Sequence, residues 1–84
     1  MSQSIENKIV SRIYGNKRGW VFTPNHFLDL GSRTAVAQSL VRLAKSWTIR
    51  RLTRGLYDYP VKHPDFGDLP PNYNRVAKAL VGRD

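Results

Sequence analysis

Six cationic side chains, Arg33, Arg42, Lys45, Arg50, Arg51 and Arg54, fall between residues 32 and 57, and no Asp or Glu falls among them. All but one are arginine, whose planar guanidinium pairs with phosphates and base edges through a fork that lysine lacks. The whole chain carries 14 Lys+Arg against 6 Asp+Glu, a formal net charge of +8. Three quarters of that charge lies in this one stretch. Residues 1–31 supply Lys8, Arg12, Lys17 and Arg18 against Glu6 and Asp29, and residues 58–84 balance Lys62, Arg75, Lys78 and Arg83 against Asp58, Asp65, Asp68 and Asp84. A charge run is commonly a solvated face, but one that excludes acids points to an anionic partner. Other chemistry has little to stand on. There is no cysteine, and the two histidines lie apart, His63-Pro64-Asp65 in a turn-like proline-rich stretch and His26 in the first turn of a short helix, as a polar surface position or a phosphate contact. Neither metal-ligand spacing nor a glycine-rich phosphate loop occurs, so the expectation is a non-enzyme with no catalytic residue, metal or cofactor.

Eighty-four residues at 40% hydrophobic composition allow one small core and exclude barrels and doubly wound sheets. No apolar run approaches the roughly 20 residues of a membrane span, and the opening MSQSIENK lacks the apolar stretch of a signal peptide. A cytoplasmic protein without membrane contact is expected.

The elements that would position the cations can be read in order. Ile5, Ile9, Val10, Ile13 and Tyr14 fall on one helical stripe, with Ser2 or Ser4 as its cap and Gly15 as its stop. Trp20-Val21-Phe22 reads as a short strand. Thr23-Pro24 starts a brief helix over residues 25–30, with Gly31 at a left-handed C-cap. Ser32 then caps a longer helix from Arg33 to Lys45. At 100° per residue, Val36, Leu40 and Leu43 lie within about 60° of one another, flanked by Ala37 and Ala44, while Thr34, Gln38, Arg42 and Lys45 face outward with Ala35 and Ser39 at the margin. Beyond Ser46-Trp47, residues 48–52 and 56–59 suit a hairpin joined by the three-residue loop Thr53-Arg54-Gly55. Its alternation is imperfect, because Ile49 and Leu52 cannot share a face of a regular strand; a bulge or strong twist would resolve that. Arg54 stands at the tip and Arg50 or Arg51 on one face. Residues 61–71 read as an irregular proline-rich loop, and Tyr73, Val76, Ala77 and Leu80 mark a final helix.

Two helices separated by a glycine turn, the second basic, outline a helix-turn-helix, and a following hairpin makes it winged. The expected fold is mainly α with a small β-hairpin wing. In that geometry Gln38 and Arg42 can read adenine and guanine edges, Thr34 and Ala35 can meet a thymine methyl, and Ser32 and Arg33 can hold phosphates. Lys45, Arg50, Arg51 and Arg54 complete the set, with Arg54 in the minor groove or on phosphate. Among Trp20, Phe22, Phe27, Trp47, Tyr57 and Tyr59, only Trp47 is expected at the surface, its turn leaving it partly exposed. Double-stranded DNA is the expected partner. A protein-docking winged helix and an RNA-binding module are the alternatives.

The run VFTPNHFLDLGSRTAVAQSLVRLAKSWTIRRLTRGLYDYP resembles the N-terminal winged-helix domain of the AbiEi-type antitoxins of bacterial type IV toxin–antitoxin systems. Phe22-Thr23-Pro24, Gly31-Ser32-Arg33 and, above all, Arg50-Arg51-Leu52 followed by Arg54-Gly55-Leu56-Tyr57 carry the resemblance, which spans about half of the chain. It implies a winged helix over residues 1–60 that binds operator DNA as a transcriptional autorepressor, with Ser32, Arg33, Gln38, Arg42 and Arg54 facing the DNA. It further implies a toxin protein or a second copy as additional partners. In that family a larger antitoxin domain follows, so residues 72–84 could begin one. Trp47 departs from the pattern, standing where the family commonly has glycine.

Overall fold

The computed structural model describes residues 4–81. Among these, three helices and five short antiparallel strands make an α+β body: α1 (Ile5–Asn16), β1 (Val21–Phe22), a 3₁₀ turn (Pro24–Phe27), α2 (Arg33–Lys45), β2 (Arg50–Thr53), β3 (Leu56–Asp58), β4 (Lys62–His63), β5 (Gly67–Asp68) and α3 (Tyr73–Val81).

β3 is the centre of a three-stranded sheet in the order β1-β3-β2, and all three of its residues are buried. The period of two along a strand explains why. Tyr57, with Phe22 of β1, faces α1 and α2 and joins Ile9, Ile13, Phe27, Val36, Leu40 and Leu43 in the main core. Leu56, with Val21, faces the other way and meets Ala79 and Val76 of α3 in a second, smaller cluster. The sheet is thus covered on both sides, which lets so short a chain bury its hydrophobic residues. α3 thus packs directly on this sheet.

Caps set most helix bounds. Ser4 Oγ accepts from the Asn7 N–H at 3.2 Å and Ser32 Oγ from the Ala35 N–H at 3.1 Å, each satisfying a donor that a helix start leaves open. The stop at Gly15 is not observed: α1 runs through it to Asn16 and ends at Lys17, whose φ is +67°. The helix expected over residues 25–30 is a 3₁₀ turn held by Thr23, whose N–H donates to His26 Nδ1 at 3.0 Å. Gly31 is not left-handed; it is small because a Cβ there would collide with Ile5 of α1.

The hairpin turn is shorter than expected, Arg54-Gly55 alone, with Gly55 at φ +73°. Thr53 pairs with Leu56 and Arg51 with Tyr57, so a bulge falls at Leu52 and resolves the irregular alternation. Residues 61–71 are not irregular throughout: β4 and β5 pair Lys62 with Asp68 and His63 with Gly67. Backbone bonds and turn chemistry hold this ladder, with His63 Nδ1 accepting from the Asp65 N–H at 3.1 Å and Gly67 at φ +72°, so no apolar alternation announces it. α3 is capped by Asn72, whose Oδ1 accepts from the N–H groups of Asn74 and Arg75. It buries Ala79 and half-buries Val76, while Tyr73, Ala77 and Leu80 of the expected stripe are exposed; residues 82–84 of that expected helix lie outside the described residues.

Candidate nucleic-acid interface

α2 buries Val36, Leu40 and Leu43 and exposes Thr34, Gln38, Arg42 and Lys45. One position departs from the expected faces and one adds to them. Ser39 is not marginal but fully buried, and its hydroxyl has no partner among the described residues. Val41 is the reverse: roughly 140° from Val36 at 100° per residue, it is 43% exposed and shares a concave surface with Ala37, Gln38 and Arg42. The sequence offered one signal for it, the wheel angle, which sets this β-branched residue among the outward-facing ones.

The hairpin divides its two adjacent arginines. Arg50 pairs across the ladder with Asp58 and Arg51 with Tyr57, and successive side chains point to opposite faces. Arg50 Nε and Nη2 donate to the two Asp58 carboxylate oxygens at 3.0 and 2.7 Å. Asp58 is 1% exposed, so its charge needs this bidentate partner. The hydrogen bond to Asp58 raises the pKa of Arg50 above its ordinary value, against the opposing effect of burial. The structure places Arg50 as a pin of the sheet, its guanidinium held by Asp58. Arg51 is exposed and lies beside Val41, Ala44, Lys45 and Trp47, so β2 extends the exposed face of α2.

At the other end, Arg33 and Gly55 line one small concavity with Thr23, Pro24 and Asn25. Arg33 Nη2 donates to Asn25 Oδ1 at 2.7 Å, which aims the guanidinium beside the hairpin turn, where Arg54 is exposed. Ser32 spends its hydroxyl oxygen on the helix cap. Among the described residues Arg42 has one acidic neighbour, Glu6 of α1, at 3.4 Å, with the Arg42 side chain mostly in solvent and that of Glu6 partly so; such a pair is weak and readily exchanged. The resulting surface joins Arg33, Thr34, Gln38, Arg42 and Lys45 of α2 to Arg51 and Arg54 of the hairpin.

Most of the remaining residues serve the fold. His26 closes the 3₁₀ turn and meets Trp20 edge-on. Phe22, Phe27 and Tyr57 are buried, Trp20 and Tyr59 partly so, and Trp47 is 86% exposed. Arg12 grips Asp29 through two bonds of 2.8 Å, tying α1 to the segment before α2, and this holds the Asp29 carboxyl below its usual range. Among the described residues no group of three His, Asp or Glu is placed to hold a metal ion, and no helix is long and apolar enough to cross a membrane.

No curated protein and no solved structure matches the chain. One family model does, over residues 8–84, and since that is nearly the whole chain, the protein belongs to the family described as "Family of unknown function (DUF6088)".

Proposed function

We propose that this protein is a winged helix-turn-helix module that binds double-stranded DNA, with α2 as the helix entering the major groove and the β2–β3 hairpin as the wing. The observation that carries the reading is the exposed surface just described: Arg33, Arg42, Lys45, Arg51 and Arg54 stand on two adjoining elements, and the acid paired with one of them is the partly exposed Glu6. Phosphate neutralisation by such a surface supplies most of the sequence-independent affinity for a duplex. The chain order agrees with the winged class, in which a helix, a strand, a short helix and a longer helix precede a hairpin that pairs back on the first strand. The likeness to the AbiEi-type antitoxin domain extends the proposal to repression of an operon.

Roles follow from position. Gln38, at the middle of α2, and Arg42, in its last turn, reach base edges, with Thr34 one turn before Gln38. Arg33, Lys45, Arg51 and Arg54 hold phosphates or the minor-groove edge. The test is a pair of duplex titrations, one on a sequence selected from a random pool and one on random DNA. Gln38→Ala and Arg42→Ala reduce the preference for the selected sequence by about 1–3 kcal/mol, whereas Arg54→Ala weakens both duplexes alike. Equal losses on both duplexes from all three variants would refute base reading by α2.

A further inference from the structure

Trp47 combines two features that rarely coincide in a folded chain. Its φ is +65°, in the left-handed region that a bulky L-residue seldom occupies. The position is fixed by the end of α2: the Trp47 N–H donates to the Ala44 carbonyl at 3.2 Å and the Thr48 N–H to the Leu43 carbonyl at 3.0 Å. This is the paired closure that ordinarily places glycine at the left-handed residue. The side chain recovers none of the cost by burial, being 86% exposed. An exposed indole on a strained backbone has no account in the stability of the free fold, and such outliers concentrate where a ligand is met.

Its surroundings indicate the ligand. Trp47 borders a shallow concavity of about 430 Å³ lined also by Val41, Ala44, Lys45, Arg51 and Tyr57. Its wall is apolar and its charged members are both cations. Neither Lys45 nor Arg51 makes an ion pair with any described residue. A flat indole beside two unpaired cations suits a strand whose sugars are apolar and whose phosphates are anionic. The indole packs on deoxyribose, its N–H is free to donate to a phosphate, and Lys45 and Arg51 neutralise the charge.

We infer that Trp47, Lys45 and Arg51 form a backbone-gripping site for one strand of duplex DNA at the C-terminal end of α2, distinct from the base-reading positions Gln38 and Arg42. The inference rests on the duplex-binding reading above and deepens it by assigning Trp47 a DNA contact. The site fixes how far α2 is pushed along the groove and contributes equally on every sequence.

Glycine separates a binding role from a structural one, because it suits a left-handed residue. The full chain, Trp47→Gly and Trp47→Phe are compared by thermal melting and by titration with a fluorescently labelled duplex and with the matching single strand. Trp47→Gly is expected to melt at the same temperature or higher, and to bind duplex roughly three- to tenfold more weakly, equally on selected and random sequence. Trp47→Phe keeps an aromatic face and loses less. In a Trp20→Phe background, the fluorescence of Trp47 changes over the same concentration range as binding. Duplex binding by Trp47→Gly equal to that of the parent overturns the inference and leaves the duplex reading standing. A preference of the parent for single strands that disappears in Trp47→Gly also overturns it, in favour of base stacking. Failure of the parent to bind any duplex at low salt overturns the underlying reading.

Discussion

Arg50 and Arg51 are neighbours of identical chemistry, and the ladder assigns them opposite roles, so replacing each with alanine should have opposite consequences. Arg50→Ala leaves the Asp58 carboxylate, 1% exposed, without the two bonds of 3.0 and 2.7 Å that hold it. Removing one partner of a fully buried pair costs about 3–5 kcal/mol. Arg50 is itself partly exposed, so water can reach the vacated site, and about 3 kcal/mol is the better figure. A domain of this size holds roughly 4–12 kcal/mol in total. With a urea dependence near 1 kcal/mol/M, the unfolding midpoint should fall by about 3 M. Arg51→Ala removes an exposed side chain with no ion pair among the described residues and should stay within about 0.5 kcal/mol of the parent. On duplex DNA the order reverses: Arg51→Ala lowers affinity and reduces the salt slope by about 0.9, while Arg50→Ala, measured where it remains folded, binds nearly as the parent does. Asp58→Asn together with Arg50→Met should recover part of the stability, because no buried charge is then left alone. Equal stability of the two alanine variants would refute the assignment of Arg50 as a pin. A salt slope reduced by Arg50→Ala as much as by Arg51→Ala would return Arg50 to the binding face.

Two further outcomes follow from buried and paired groups. Ser39→Ala removes a buried hydroxyl without a partner among the described residues and substitutes a better helix former, so chemical denaturation should show a gain of up to about 1 kcal/mol; a loss of that size would mean the hydroxyl is bonded. Asp29, held below the usual carboxylate range by Arg12, contributes stability that is present above the unfolded pKa of about 4 and is lost as pH falls through the lower folded value. Asp29→Asn should therefore melt slightly below the parent at neutral pH, with the gap closing in acid; a gap independent of pH would contradict the pairing.

What was legible in the chain depended on whether the deciding interaction was local. The bounds of α2 were readable because a Ser cap and a three-residue apolar stripe are both encoded within the helix. The exposure of Trp47 was readable from its turn. The fates of Arg50 and Arg51 were not, since both are arginine in one strand and only the register against Asp58 and Tyr57 separates them. Ser39 was misplaced at the margin, because the edge of a buried arc depends on the neighbours that pack against it. The same holds for α3, whose buried face is selected by Val21 and Leu56 rather than by its own pattern. Gly31 looked like a conformational cap and proved to be a point of close approach to Ile5. Of the six cations in the acid-free stretch, five remain on the exposed side. Arg50 is held by Asp58 across the ladder, a pairing that its place in the strand does not announce.

The central claim is that four of these five cations, Arg33, Lys45, Arg51 and Arg54, meet the phosphates of a duplex while Arg42 reads base edges. The affinity of the whole chain for duplex DNA, measured across a series of salt concentrations, tests it most directly. Four neutralised phosphates predict that log affinity falls against log salt with a slope of about −3.6. No binding at low salt, or a slope near zero, would contradict the account.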